Sequence, residues 1–158
     1  MYNVVQVYEL IMKNGYSKKE VAEMLGITPR TIHFYTDEGT IIPEIANPKG
    51  RGTTRIYSRR NLIELLLARE LAKNGLSLER VKNVMNEMKK QYDEDFLNPD
   101  GEWPKKKNAA LAKLIIYDAG GERPLIKAVW KRAVYLGVKD YLSAIVIKIS
   151  HLFDLLKK

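Results

Sequence analysis

The chain has 158 residues, and its 27 lysines and arginines against 19 acids give a formal charge of +8 at pH 7. It contains no cysteine, which excludes disulfides, zinc knuckles and thiolate metal sensors. The positive surplus attracts phosphate polyanions or acidic membrane surfaces, and nucleic acid is the first partner that it indicates.

An amphipathic helix is predicted at the N-terminus. Apolar residues recur there at helical spacing, and the pattern stops at Asn14-Gly15, a usual helix end. These residues are Val4, Val5, Tyr8, Leu10 and Ile11.

The N-terminal stretch lacks the basic start and the cleavage site of a signal peptide. Since no apolar run in the chain approaches the roughly 18 residues of a membrane span, we expect a cytoplasmic protein with no membrane partner.

Two short helices joined by a tight turn are predicted next. Ser17 and Glu20 have capping-box spacing, in which each side chain bonds the other residue's backbone N–H, so a helix should begin there. After a glycine turn of about three residues, Thr28 offers an N-cap and Pro29 the first position of a second helix, which ends at Gly39. This order is typical of a helix-turn-helix.

A basic segment broken by glycines, KGRGTTRIYSRR at residues 49–60, follows the two helices. Pro43, Pro48 and the glycines of this segment argue against a further helix before Tyr57.

Two longer helices are predicted after the basic segment. Ser58 caps the first, which carries a dense apolar pattern and ends at Asn74-Gly75. Ser77 caps the second, whose apolar residues again recur at helical spacing. These residues are Leu78, Val81, Val84, Met85 and Met88.

A linker is predicted at residues 93–107, DEDFLNPDGEWPKKK, because acids, Asn-Pro, Asp-Gly and a lysine triplet are common in loops. We therefore expect an N-terminal domain over residues 1–92, a linker over 93–107 and a C-terminal module over 108–158.

The C-terminal module leaves alternatives open. Two apolar runs around Asp118–Gly121 suit a hairpin, although the first run could instead be a helix. Residues 129–136 have a helical pattern. SAIVIKIS at 143–150 is rich in β-branched residues and favours a strand. The alternating spacing of Leu142, Ile145 and Ile149 also fits a coiled-coil seam.

Three stretches together carry a family resemblance: YSKKEVAEMLGITPRTIHFYTDEGTIIP, TTRIYS and NGLSLERVKNVM. In this order they resemble the helix-turn-helix, the wing and the turn into the fourth helix of the MerR family of transcription regulators, over residues 16–88. The resemblance implies an α+β, mainly helical protein with a winged helix-turn-helix. It also implies a homodimer on a pseudo-palindromic promoter site in double-stranded DNA, with RNA polymerase as a further partner.

Three features depart from the family pattern. His33 stands where the recognition helix usually has arginine, and Thr40 follows Gly39 where leucine is common. The long helix that commonly dimerises such proteins is not evident after Tyr92. We therefore expect dimerisation through the C-terminal module.

The basic segment takes the place of the family's wing, expected as a two-stranded hairpin along the DNA backbone. Gly50 and Gly52 allow positive φ and a close approach to phosphates. Arg51 and Arg55 supply charge, and Thr54 can add a hydroxyl donor. Such contacts fix register and affinity without reading sequence.

Base reading is expected from the second helix, whose N-terminal residues face base edges in helix-turn-helix complexes. Arg30 is the first candidate, because its guanidinium can pair with guanine O6 and N7. Phe34 is suited either to DNA or to packing on the wing, and Tyr35 is suited to the core. The full predicted DNA-binding set is Tyr16, Ser17, Thr28, Arg30, Thr31, His33, Phe34, Tyr35, Arg51, Thr54, Arg55 and Tyr57.

No enzyme, metal or cofactor signature is found. His33 and His151 lie in different modules, and two histidines alone do not make a metal site. DAGGER at 118–123 lacks the lysine-hydroxyl pair of a P-loop and the dinucleotide spacing, and is interpreted as a tight turn.

Two questions of function stay open at this point. Trp103, Trp130 and the tyrosines at 117, 135 and 141 are suited either to a pocket for a small-molecule effector or to core and dimer packing. The alternatives to a transcription regulator are an architectural or recombination accessory protein without an effector, and a protein-interaction module.

Overall fold

The computed structural model describes residues 15–48, 50, 52–92, 96–99, 101, 113–117, 125–129, 144–149 and 151–152. Within these ranges lie four helices: α1 (Lys18–Leu25), α2 (Pro29–Asp37), α3 (Arg59–Lys73) and α4 (Leu78–Gln91). The strands are β1 (Tyr16–Ser17), β2 (Ile56–Tyr57), β3 (Lys113–Tyr117), β4 (Leu125–Val129) and β5 (Ala144–Lys148). The predicted α+β, mainly helical fold class is confirmed. The helix predicted before Asn14 lies outside the described residues, as does the helix predicted at 129–136 apart from Val129, which ends β4.

The caps of the helix-turn-helix are those predicted. Ser17 Oγ accepts from the Glu20 N–H at 3.4 Å, and Glu20 Oε2 accepts from the Ser17 N–H at 2.7 Å, which completes the capping box. Gly26 ends α1 with φ at 61°. Thr28 caps α2 by accepting from the Thr31 N–H at 3.1 Å. Local hydrogen bonds thus set both ends of the turn between α1 and α2.

A small sheet, which the sequence did not predict, ties the chain before α1 to the end of the basic segment. β1 and β2 pair antiparallel, with Tyr16 opposite Tyr57 and Ser17 opposite Ile56. Ile56 also forms an antiparallel bridge with Ala46, through N–H···O bonds of 2.8 and 3.2 Å. This bridge closes a loop of residues 46–56, which contains the first part of the basic segment and which we call the ribbon. Of the predicted two-stranded hairpin, the described residues contain this one bridge, and residues 47–48 and 53–55 beside it form no strand. Lys49 and Arg51 lie outside the described residues.

α3 forms the centre of the core. Every residue from 61 to 68 is buried, which is the pattern of a helix surrounded by other elements. α1, β2 and α4 all pack against it. α1 contributes Val21 and Leu25, and α2 contributes Ile32 and Tyr35. From α4 come Val81, Val84, Met85 and Met88.

Asn61 fastens the exit from the helix-turn-helix to α3. Its Oδ1 accepts from the Glu44 N–H at 3.0 Å and the Ser58 N–H at 3.1 Å. Its Nδ2 donates to the Ile42 carbonyl at 3.0 Å and to Glu64 Oε2 at 2.9 Å. All four hydrogen bonds of a buried amide are therefore made, which fixes the loop leading from α2 to the ribbon.

Two apolar side chains in the predicted linker pack into the core. Phe96 and Leu97 are 5% and 1% exposed, and the ring of Phe96 stacks on Tyr92 at a centroid distance of 4.3 Å. Because acids and prolines dominate this segment, its sequence predicts a loop and gives no sign that these two side chains are buried. The domain boundary at 93–107 stays a prediction.

The C-terminal module contains a three-stranded antiparallel sheet with the order β4-β3-β5. Leu114 lies opposite Ala128 and Ile147, and Ile116 lies opposite Ile126 and Ile145. The hairpin of β3 and β4 is confirmed over the alternative helix, and strand β5 over the coiled-coil seam. Leu114, Ile116, Ile126 and Ile147 belong to the same apolar cluster as the four helices, and α4 packs against β4.

Candidate nucleic-acid interface

α2 has one buried face and one exposed face. Ile32, Tyr35 and Thr36 are buried against the core, as the helical spacing predicts. Arg30, His33 and Asp37 are exposed on the other side. The exposed polar side chains of α2 are therefore two basic or titratable groups and one acid.

A cleft of about 410 Å³ lies between α2 and the ribbon. Its walls combine two cationic residues and a histidine, two threonines, a tyrosine and two turn residues. They are Lys18, His33, Pro48, Gly50, Thr53, Thr54, Arg55 and Tyr57. Lys18 comes from the first position of α1, so three separate segments meet here. Positive groups, hydroxyl groups and a glycine with φ at 131° suit the approach of an anion.

Asp37 links α2 to the ribbon across this cleft. Its Oδ1 accepts from Arg55 Nη1 at 2.6 Å, and its Oδ2 lies 2.9 Å from His33 Nε2, one helical turn earlier. The three side chains are 31 to 57% exposed, so solvent screens the pairing and its contribution to stability is small. The geometric effect is larger, since one carboxylate holds a recognition-helix residue and a ribbon residue together.

A second, buried link lies beneath the first. Thr36 Oγ1 donates to the Ile32 carbonyl at 2.8 Å, so its single hydrogen is committed to the helix. The contact of 3.0 Å between Thr36 Oγ1 and Tyr57 Oη therefore has the phenol as donor. Burial raises the pKa of Tyr57, which keeps this donor protonated. β2 and α2 are thus joined by a hydrogen bond inside the core.

Comparison with known proteins decides which family this arrangement belongs to. Residues 16–88 match the family model described as MerR HTH family regulatory protein. This segment is a MerR-family helix-turn-helix domain. The match begins at β1 and ends in α4, so it spans the cleft and both of its links, and the family prediction over residues 16–88 is confirmed.

Several curated relatives are similar to part of this chain. An uncharacterised HTH-type transcriptional regulator of Mycobacterium tuberculosis is 24% identical over 84 residues, which cover 53% of this chain and 37% of the relative. The HTH-type transcriptional regulator CueR of Salmonella typhi is 31% identical over 67 residues, covering 42% of this chain and 46% of CueR. CueR of Escherichia coli O157:H7 matches at the same identity, with 47% covered. The aligned part therefore spans less than half of each of these relatives.

The MerR domain brings part of the predicted DNA-binding set to one surface. His33, Thr54 and Arg55 line the cleft, and Arg30 is exposed at the N-terminal end of α2. Thr31 lies beside Arg30, half-buried, with its hydroxyl 2.9 Å from that of Thr28.

Other members of the predicted set serve the scaffold of the MerR domain. Tyr16, Tyr35 and Tyr57 are at most 2% exposed and lie in the core. Ser17 and Thr28 are occupied as N-caps. Phe34 is half-buried, with its ring edge-on to Tyr35 at 5.7 Å. Arg51 lies outside the described residues.

Lys18 lines the cleft and Asp37 bridges His33 and Arg55, and neither residue belongs to the predicted set. Lys18 is exposed at the first position of α1, next to the N-cap Ser17. Asp37 follows His33 at the i, i+4 spacing that joins opposite charges on a helix, and this spacing was the available signal.

The described ranges contain no cluster of three or more histidine, aspartate or glutamate side chains that could hold a metal ion. Within the same ranges, no helix combines the length and apolar character needed to cross a bilayer.

Proposed function

We propose that this protein is a transcription regulator that binds double-stranded DNA through the MerR domain. α2 enters the major groove, and the ribbon follows the adjacent phosphate backbone. The observation that carries this proposal is the position of Arg55 and His33, which meet on one carboxylate at the mouth of a basic cleft. The exposed face of α2 and the ribbon therefore lie on the same side of the molecule.

The phosphate contacts are assigned to the cleft. Arg55 commits one N–H to Asp37, and a guanidinium has four further N–H donors for phosphate oxygens. Lys18 contributes a second positive charge, and Thr54 is exposed with a hydroxyl. Gly52 has φ at 77° and nothing within 4 Å of the position a Cβ would take, so DNA can approach the backbone there. These contacts supply affinity and register.

Base reading is assigned to the N-terminal half of α2. Arg30 is exposed in the first turn, at the end that helix-turn-helix proteins direct toward base edges. A guanidinium paired with guanine O6 and N7 gives about 1–3 kcal/mol of discrimination against other bases. His33 lies on the same face of the helix as Arg30, three residues further on, and Thr31 follows Arg30 in the first turn. Both are assigned to the proposed reading surface.

A homodimer on a pseudo-palindromic site completes the proposal. Two copies would place two α2 helices in successive major grooves, roughly 34 Å apart along the duplex. The C-terminal module is the proposed dimerisation or effector module. RNA polymerase is the proposed partner at the promoter, where bending or untwisting of DNA would alter its access.

Selection of bound fragments from random duplex DNA tests the proposed function. A two-fold symmetric consensus is the expected result, together with a complex that contains two chains per duplex. Sequence-blind binding with cooperative bending of long DNA would instead favour an architectural protein. No binding to any duplex would leave the protein-interaction module as the better explanation.

The salt dependence of binding tests the assigned phosphate contact. Arg55→Ala should weaken binding to all sequences alike and reduce the slope of log K against log salt by about 0.9, the value for one lost phosphate contact. Lys90→Ala is the matched control, because it removes the same charge from α4, where the side chain is 73% exposed and outside the cleft. Equal slopes for the two variants would contradict the assignment of Arg55.

A further inference from the structure

The contact between His33 and Asp37 restricts how His33 can meet DNA. A carboxylate only accepts hydrogen bonds, so the ring nitrogen 2.9 Å from Asp37 Oδ2, Nε2, carries the hydrogen. In a neutral imidazole the other nitrogen, Nδ1, is then an acceptor. The second oxygen of Asp37 accepts from Arg55 Nη1 at 2.6 Å, so both oxygens of the carboxylate have a partner. In the neutral ring, the contact with Asp37 therefore favours the tautomer with the hydrogen on Nε2 and Nδ1 as the acceptor.

We propose that Asp37 is a positioning residue that sets the base preference of His33, so that His33 Nδ1 accepts a hydrogen bond from a base amino group in the major groove. The inference rests on the proposed function, since it requires α2 to lie in that groove. Adenine N6 and cytosine N4 are the amino donors exposed there, whereas guanine and thymine present acceptors. His33 accordingly selects adenine or cytosine at one position of the site.

The charges around Asp37 support a positioning role. An unpaired acid on a DNA-facing surface would repel phosphates, but both oxygens of Asp37 are occupied by groups from α2 and the ribbon. Arg55 from the ribbon and Lys18 from α1 line the same cleft as His33. Exposed ion pairs contribute little to folding stability, so orientation is the main effect of this arrangement.

The experiment uses the full chain and the operator obtained by selection, with each base pair of one half-site replaced in turn, at about pH 8, where histidine is ordinarily neutral. His33→Gln identifies the base pair that His33 reads, as the position where its discrimination is lost. At that same pair, Asp37→Asn should reduce the preference for adenine or cytosine by about three- to tenfold, the range of one hydrogen bond. An amide can hold either ring tautomer, because it both donates and accepts.

Glu38→Gln is the matched control. Glu38 also lies next to the end of α2 and pairs with Lys82 at 3.3 Å, so its substitution makes the same change in net charge without touching His33. Both acidic variants should tighten binding to every sequence by a similar factor. Only Asp37→Asn should also change the preference at the pair read by His33.

A double substitution separates positioning from a direct effect. In the His33→Gln background, Asp37→Asn should leave base preference unchanged, because there is no ring left to position. Equal, uniform effects of Asp37→Asn and Glu38→Gln would overturn the inference, as would an effect of Asp37→Asn that persists without His33. If the unmodified protein selects no operator, the proposed function itself fails, which is a different result.

Discussion

At the scale of single residues, the least expected feature is a buried acid in the middle of the core. Glu64 is 3% exposed in α3. Burial raises the pKa of Glu64, and the charge of Lys89, whose Nζ lies 3.5 Å from Oε1, and the hydrogen bond from Asn61 oppose this only in part. Glu70, nearer the end of the same helix, behaves in the opposite way. Burial raises its pKa too, but hydrogen bonds and charges from Lys73 and Arg69 outweigh this and leave it lowered.

The two glutamates should give opposite pH dependences of stability. Because Glu64 binds its proton more tightly in the folded state, its ionisation destabilises the fold as pH rises from the ordinary carboxyl range toward its raised folded pKa. Glu64→Gln should therefore gain stability relative to the unmodified chain as pH rises through this range. Glu70→Gln should lose relative stability as pH rises from its lowered folded pKa to the ordinary carboxyl range. Urea unfolding of each variant and of the unmodified chain, over both pH ranges, measures these differences in free energy of unfolding. A difference that does not change with pH would contradict the shifted pKa of that glutamate.

At the scale of elements, the ribbon is held to α2 twice, by the exposed bridge through Asp37 and by the buried bond between Tyr57 and Thr36. The two links differ in what they contribute. The exposed bridge orients side chains that face solvent, whereas the buried bond adds to the stability of the packing between β2 and α2.

Removing the phenol hydroxyl should measure the buried link. Tyr57→Phe should lower the free energy of unfolding by about 1 kcal/mol, or up to 3 if the oxygen of Thr36 is left without a donor. In a double-mutant cycle with Thr36→Val, the two losses should be less than additive, because each substitution removes the same bond. Chemical denaturation provides the values, and fully additive losses would show that the two side chains act independently.

At the scale of the whole molecule, the apolar cluster is continuous from the helix-turn-helix to the C-terminal sheet. Leu97, which has φ at 74°, and Phe96 belong to it, as do Leu114 and Ile116 of β3. The predicted linker thus lies between two parts that share apolar contacts. Such sharing favours cooperative unfolding over two separate transitions.

Two spectroscopic signals distinguish cooperative unfolding from two separate transitions. Far-ultraviolet circular dichroism reports mainly on the helices. Tryptophan fluorescence reports on the later part of the chain, because Trp103 and Trp130 both follow α4 in sequence. The two signals should change at the same denaturant concentration. Leu97→Ala should shift both together, at a cost of about 2–5 kcal/mol for a buried leucine. Separate midpoints would show that the modules unfold independently.

Local chemistry explains which elements could be predicted from the sequence. The signals that define the helix-turn-helix act within a few residues of each other, so this element could be predicted. They are the capping box at Ser17, the helix start at Thr28-Pro29 and the glycines at 26 and 39. Strand β5 could be predicted because its β-branched residues follow one another directly in the sequence.

Features that depend on contacts between distant residues could not be predicted. Tyr16 pairs with Tyr57 across 41 positions, and Arg55 meets Asp37 across 18. Neither pairing leaves a local pattern. Tyr16 and Tyr57 of the predicted DNA-binding set are both buried, and Tyr57 also lines the cleft. The sequence predicted several of the residues that line the cleft, but not Asp37, the acid that bridges two of them.

The bridge through Asp37 exists in the protein without DNA, and this affects the cost of recognition. A side chain that is already immobilised loses little rotational freedom when it meets a ligand, whereas ordering a flexible side chain costs about 0.5–1.5 kcal/mol. In the proposed complex, Arg55 and His33 would therefore lose less of this freedom on binding DNA, because the bridge through Asp37 already restricts both side chains. Encounter would then be limited by diffusion and docking orientation rather than by a rearrangement of the ribbon.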